Sequence, residues 1–314
     1  MELTTKRCRC CAAGTFSRLP CLAEVDPFFA RHGLQIEVSQ EAVLPLLDWG
    51  LRRKLDRLPT ALARGLHRRL DRLRQKLLLV NRRIAIPYGL CNQCHFLAPW
   101  VEIGDDQLQD YYAHYLQESY QQARTAFQPG FAQLGQLMGS AAEGESRRRQ
   151  HEAYVLPHLQ RLRQQGSAPF LRVLDYGGGS GQLLPQAPWL QGSVLEVGAG
   201  GVEGGGEGDY DLVQCLHVLE HVGHPLNTCR QLARHARSGG LIYLEVPIEF
   251  PGLAAIEAGK LPICHEHINK LCLEAMEALL LATGLEPIEV ERAEIDFLHL
   301  DGLTPVVRAL ARKP

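Results

Sequence analysis

The 314-residue chain is long enough for about two domains, each with a core of its own. Apolar residues make up 46 % and charged residues 22 %, which is ordinary for a globular protein, and a formal net charge of −2 excludes a whole-molecule magnet for nucleic acid or membrane. No run of about 18 apolar residues suggests a membrane span, and no apolar signal region opens the chain, so the cytoplasm is the expected compartment.

The first chemistry-bearing feature is cysteine. Ten are present, and in a long chain without an export signal paired cysteines read as metal ligands rather than as a disulfide framework. Two pairs have ligand spacing, Cys8-x-x-Cys11 and Cys91-x-x-Cys94, with Cys10 a rival ligand in the first. If the pairs meet, four thiolates make a closed tetrahedral site, which favours structural zinc. The gap of about 80 residues between them is longer than in a compact zinc ribbon, and reduced cysteines that happen to be so spaced are the alternative. Cys21, Cys215, Cys229, Cys264 and Cys272 are scattered and read mostly as small buried apolar residues.

Between the pairs, residues 46–80 carry leucines at three-and-four spacing, from Leu51 through Leu55, Leu58 and Leu62 to Leu77. This predicts a helix with one apolar face and a basic opposite face (Arg52, Arg53, Arg68, Arg69 and Arg72 among others), interrupted at Pro59. Such an insert suits an anionic surface, a partner protein or RNA, or packs on the rest of the chain with its charges in water. Residues 106–165 read as polar helix broken near Pro129-Gly130, with linker composition from Gly139 to Ser146 and on through Arg147-Arg148-Arg149. The expected organisation is a zinc-binding module at 1–100, a helical segment and linker at 101–165, and an α/β domain at 166–314.

The third part opens with an apolar strand from Phe170 to Leu174, then Asp175, then glycines at alternate positions, Gly177, Gly179 and Gly181. A strand, a glycine turn and a helix N-terminus form a nucleotide-type loop at the carboxyl end of a sheet. The acid excludes a pyrophosphate there and favours a ligand carrying positive charge. A second strand is expected at Ser193–Val197, with Glu196 placed to accept both hydroxyls of a ribose. Only a glycine-rich stretch then separates Glu196 from the next strand at Asp211-Leu212-Val213, which leads into His217-x-x-Glu220-His221. That last motif also matches a zinc-protease pattern, but the pattern needs a helix and this one starts at a strand end. A glycine-preceded strand at 239–247, a helix at 271–283 closed by Gly284, and a closing antiparallel pair at 286–290 and 304–310 complete the domain.

In order and spacing, residues 170–312 resemble the core of class I S-adenosylmethionine-dependent methyltransferases, with Asp-x-Gly-x-Gly-x-Gly as motif I. The resemblance implies a Rossmann-like α/β fold, S-adenosylmethionine as cofactor, and Asp175, Gly177, Gly179, Gly181, Glu196, His217, Glu220 and His221 around it. One departure is that the strand and acid that usually read the adenine have no counterpart between 197 and 210. The whole chain is similar to the sugar C-methyltransferases, through the two cysteine pairs, Tyr111-Tyr112-Ala113-His114-Tyr115 and His265-Glu266-His267. That family implies zinc on Cys8, Cys11, Cys91 and Cys94, a nucleotide-sugar acceptor, His267 as the base that forms an enolate, Glu266 as its partner, and His265 beside them. Cys264 stands where the family has a tyrosine. Methylation of oxygen or nitrogen on a small molecule, and a degenerate subunit of the same fold, are the other readings.

Overall fold

The computed structural model describes residues 5–34, 84–115, 117–127, 131, 140–197, 206–298 and 302–314. The basic helix expected at 46–80 lies outside the described residues, as do the break at Pro129-Gly130 and most of the glycines between 198 and 205.

A small antiparallel sheet comes first, built from β1 (Thr5–Arg7), β2 (Thr15–Glu24), β3 (Ala85–Cys91) and β4 (Leu97–Pro99) in that spatial order. Helix α1 (Pro27–His32) follows β2; Asp26 caps it by accepting from the Phe29 amide at 2.8 Å, and proline fills its first position. Two short helices, α2 (Asp105–Tyr115) and α3 (Glu118–Phe127), then precede α4 (Ala141–Gln165).

Of the linker expected over 139–149, residues 141–149 are the start of α4. Ser140 caps it through the Glu143 amide at 3.2 Å, and Glu145 ion-pairs with Arg148 and Arg149 along the solvent face. The polar composition that resembles a linker is helix whose charges are met in place: Glu143 is buried, Arg148 lies between Glu145 and Glu152, and Arg147 covers the Phe297 ring. The inner face of α4, Val155, Leu159 and Leu162, recurs at three-and-four spacing and packs on one side of the large sheet.

That sheet has the order β6-β5-β7-β8-β10-β9, formed by β5 (Leu171–Tyr176), β6 (Leu190–Leu195), β7 (Tyr210–Leu216), β8 (Ala236–Pro247), β9 (Glu286–Asp296) and β10 (Leu303–Arg312). The first four strands run parallel, and β10 is antiparallel to both β8 and β9. Side chains alternate across it. Val173, Leu212 and Tyr243 meet α4, whereas Leu174, Val213 and Leu244 face α5 (Pro225–His235) and α7 (Leu273–Ala282). Five-residue α6 (Leu253–Glu257) lies between β8 and α7. β5 begins one residue later than expected because Phe170 is exposed, and it runs on through Asp175.

The two sheets share a core. Cys8, Cys11, Phe16, Cys91 and Phe96 lie in the same apolar cluster as Leu226, Ala275 and Met276. Backbone bridges tie Val25 to Cys264 and Leu97 to Lys270, so the N-terminal sheet braces the segment that carries the expected His-Glu-His cluster. No helix of the described residues is long and apolar enough to cross a membrane.

Candidate active site

The glycine loop leaves the carboxyl end of β5. Gly177, Gly179 and Gly181 all sit at positive φ, between 58° and 74°, the region open to glycine. The neighbouring Gly178 is needed for space, since a Cβ there would lie 2.2 Å from Asp175 Oδ2. Asp175 is 1 % exposed, and its Oδ2 accepts no hydrogen bond within the protein. Burial pushes this carboxyl up to about 6, with Glu196 adding repulsion and Gln214 opposing it through a hydrogen bond. Glu196 lies one residue past the end of β6 and is exposed, so the strand expected to hold it stops short of it.

The helix expected to follow the loop is absent. Residues 177–189 form turns and cross to β6 with no helix between, and the side of β5 that such a helix would flank meets α4 instead. Proline at 185 and 188 denies amide donors to a helix in this stretch. The loop is fixed instead by its own backbone, with the Gly177 amide donating to Leu195 O at 2.7 Å.

The turn after β7 carries the second group. His217 occupies the left-handed region at φ 55°, so its ring turns back over the sheet. Its Nε2 lies 3.0 Å from Glu245 Oε1, its Nδ1 lies 3.4 Å from Glu220 Oε1, and Phe297 stacks edge-on against it. Burial disfavours the imidazolium, but Glu220 and Glu245 outweigh it and raise the pKa. His217-x-x-Glu220-His221 is a turn, not the helix a zinc protease needs. His221 meets Tyr112 of α2, whose hydroxyl lies 2.5 Å from Nδ1 and donates to Glu266 O at 3.2 Å.

The third group lies between α6 and α7. His267 Nδ1 lies 2.8 Å from Glu249 Oε1, and the other Glu249 oxygen is held by the ammonium of fully buried Lys270. Lys270 also donates to His267 O at 2.7 Å and lies 3.2 Å from His265 Nε2. Although Glu249 is largely buried, His265, His267 and Lys270 hold its carboxyl far below the usual range. The expected pairing of His267 with Glu266 is therefore corrected: the Glu266 side chain turns to His265, 3.7 Å from Nδ1, while its carbonyl faces His221. Cys264 is fully buried, bonded through its backbone to Glu24 and Asp26, and does not occupy the place of a phenol facing substrate.

The cysteine pairs meet. The sulfurs of Cys8, Cys11, Cys91 and Cys94 all lie within 4.8 Å of one another, all four residues are buried, and the closest approaches are 3.7 Å (Cys11 to Cys91) and 3.8 Å (Cys8 to Cys94). Hydrogen bonds from Cys8 and Cys94 lower the Cys91 thiol from its ordinary value. This donor set fits a closed thiolate site such as zinc takes. Cys10 is not one of the four that converge: its sulfur lies on the Cys94 side of the cluster and donates to Ala275 O at 3.2 Å.

A family profile described as a methyltransferase domain matches residues 112–290, from the Tyr112 helix through β9. The chain belongs to this methyltransferase family. Solved structures similar to it include a candidate methyltransferase from Bacillus halodurans, 14 % identical over 50 % of this chain and 98 % of that one, with a TM-score of 0.35. Another is in the complex of the Haloferax volcanii Trm112 methyltransferase activator with a candidate methyltransferase, at 14 % identity, 59 % and 96 % coverage and a TM-score of 0.36. A third is the carbon methyltransferase CurJ, at 15 %, 47 % and 50 % with a TM-score of 0.32. No curated protein matches the chain.

As an S-adenosylmethionine-dependent methyltransferase, the protein carries a loop that fits the cofactor: an orphan buried carboxylate oxygen beside backbone too tight for any side chain. The residues of the cluster that the sequence does not announce are Glu249 and Lys270, with Gln214 and Glu245 beside them. Glu249 had a signal, since it follows the end of β8 and ligand-facing groups gather beyond the carboxyl ends of parallel strands. Lys270 had none, because a lysine in a polar stretch reads as solvent-exposed.

Proposed function

We propose that this methyltransferase acts on a sugar or nucleotide-sugar and methylates carbon through an enolate, with His267 activating the acceptor. The observation that carries the reading is the His267–Glu249–Lys270 array, which the sequence resemblance to sugar C-methyltransferases did not contain in this form. Glu249 fixes the proton of His267 on Nδ1 and leaves Nε2 a lone pair. Lys270 fixes Glu249 in turn.

Asp175, the glycines of the loop and Glu196 would hold the cofactor, Asp175 supplying a carboxylate for its positive charge and Glu196 two acceptor oxygens for ribose hydroxyls. Bound S-adenosylmethionine supplies an electrophilic methyl group. At the acceptor, the C–H bond beside a carbonyl breaks, the proton passes to His267 Nε2, and the electron pair stays on the acceptor as an enolate. A phenol does enter the cluster, from α2 rather than from position 264: Tyr112 and the Glu266 carbonyl hold the His221 ring by its Nδ1. The four cysteines hold zinc as a brace under this cluster and take no part in the chemistry.

The test is His267→Ala with single-turnover assay on keto-sugar nucleotides. Loss of methyl transfer by about a thousandfold, with S-adenosylhomocysteine affinity unchanged, is expected. Normal transfer by the variant overturns the assignment.

A further inference from the structure

One buried charge has no role in that scheme. Glu220 is 1 % exposed, and neither of its carboxylate oxygens accepts a hydrogen bond. Its ion-pair contacts are with imidazoles alone, and a buried carboxylate that accepts no direct hydrogen bond is strongly disfavoured, so something further is expected to meet it. The nitrogens nearby are His217 Nδ1 at 3.4 Å and His221 Nε2 at 3.9 Å from Oε1, both too long for a direct bond. One donor atom each from Glu220, His221 and His267 lie within 4.8 Å of one another.

The outward nitrogens of both histidines are committed. His221 Nδ1 faces Glu266 O at 3.1 Å and the Tyr112 hydroxyl, and because Tyr112 donates its own proton to Glu266 O, its oxygen accepts from Nδ1. His267 Nδ1 faces the Glu249 carboxylate. Each ring therefore carries its proton on Nδ1 and presents a bare Nε2. Lone pairs gathered round a buried carboxylate repel it unless a cation lies between. Imidazoles whose second nitrogen is held by a carboxylate or a carbonyl are the signature of metal ligands oriented from behind.

We infer that Glu220, His221 and His267 bind a divalent transition-metal ion beside the cofactor loop. Two imidazoles and one carboxylate on one side of an ion suit manganese, iron, cobalt or zinc, and leave positions open on the other side. The second cluster of possible ligands, Glu249, His265 and His267, is not the site, since the Lys270 ammonium already supplies its positive charge.

The open positions suit an acceptor with two adjacent oxygens, a vicinal diol or a hydroxyketone, whose acidity the ion raises by binding them. The inference rests on the reading of this end of the carboxyl edge as the acceptor site, and it replaces the base role proposed for His267 with that of a ligand. Without the ion, Nε2 takes the proton; with it, Nε2 is a ligand, and the acceptor's proton leaves to solvent as the ion stabilises the oxygen anion.

Manganese is the probe, because hard Mn²⁺ does not compete for the four-thiolate cluster. The zinc-replete protein is titrated with Mn²⁺ by electron paramagnetic resonance, and with S-adenosylhomocysteine by calorimetry in parallel. One Mn²⁺ per chain is expected, weakened at least tenfold in Glu220→Gln and in the more exposed His267→Gln, and retained in His265→Gln. Absence of Mn²⁺ binding in a protein that still binds S-adenosylhomocysteine would overturn the inference and leave His217 as the counter-charge of Glu220. Mn²⁺ binding indifferent to both substitutions would overturn it equally. Mn²⁺ binding that follows the substitutions while S-adenosylhomocysteine fails to bind supports the ion site and instead sinks the cofactor reading.

Discussion

Along the carboxyl edge of the parallel strands, the cofactor end (beyond β5 and β6) and the proposed acceptor end (beyond β7 and β8) are built by different means. Around β5 and β6 the chain is stripped down, with a bare turn for a crossover, glycines for side chains, and one buried acid. Around β7, β8 and the segment before α7, carboxylates, imidazoles and an ammonium interlock, and the N-terminal sheet is bridged to them. The first end is shaped by backbone and can accept a ligand with little rearrangement. The second is held by charge, so deleting one partner exposes another. Damage to the acceptor end should therefore leave the cofactor end able to bind.

The largest break is at the cysteines. Cys272 Sγ donates to Cys94 O at 3.5 Å and Cys10 reaches Ala275, so the cluster is joined to the start of α7. Structural zinc contributes on the order of 10 kcal/mol of folding free energy, comparable with the whole stability of a domain at about 5–15 kcal/mol. Cys91→Ser, or prolonged chelation, should abolish the cooperative melting transition of the N-terminal sheet and the acceptor segment together. Differential scanning calorimetry alongside zinc analysis checks it; an unchanged transition in zinc-free protein would refute the brace.

Next comes Lys270→Met. A fully buried ammonium leaves, and Glu249 keeps its charge with only imidazoles for company. Breaking one side of a buried pair costs about 3–5 kcal/mol, which denaturant unfolding would read as a shift in midpoint. S-adenosylhomocysteine affinity should stay within about twofold, since Lys270 acts at the other end. Lys270→Met with Glu249→Gln should recover part of the loss, which a merely bulky role for the lysine would not predict.

Much of this architecture was legible in the sequence, and the exceptions have physical causes. Asp175 and the glycines announce themselves because a tight turn at positive φ admits few residue types. The cysteine pairs do so because metal spacing is specific. The helix α4 was hidden by a polar outer face whose composition matches a linker, although Val155, Leu159 and Leu162 kept helical spacing beneath it. The missing helix after the glycine loop was hidden in the opposite way, since the motif before it usually continues into one. Pairing of His267 with Glu249 rather than Glu266 depends on bringing the end of β8 against a segment eighteen residues later, which no local pattern encodes.

The smallest effect belongs to the cofactor end and separates it most cleanly from the other. Burial raises the Asp175 carboxyl from 3.8 to about 6, so its folded value lies above its unfolded one. The neutral acid is the form the empty fold prefers: its contribution to stability is complete below pH 3.8 and is lost as pH rises through 6. The difference is roughly 3 kcal/mol for a group this buried. Ligand binding has the opposite sense, because a positively charged cofactor needs the carboxylate. S-adenosylhomocysteine affinity, with its ammonium as the attracted charge, should fall about tenfold between pH 7 and pH 5, with proton release on binding near pH 6. Asp175→Asn should bind weakly at every pH and flatten both profiles, and buffer-dependent calorimetric enthalpies would report the released proton. Undiminished affinity at pH 5 would mean that some group other than Asp175 meets the ligand's charge. Because Glu220, Glu245 and Glu249 are all held below the ordinary carboxylate range, their titration begins only under more acid conditions, and among these carboxyl groups the window near pH 6 belongs to Asp175.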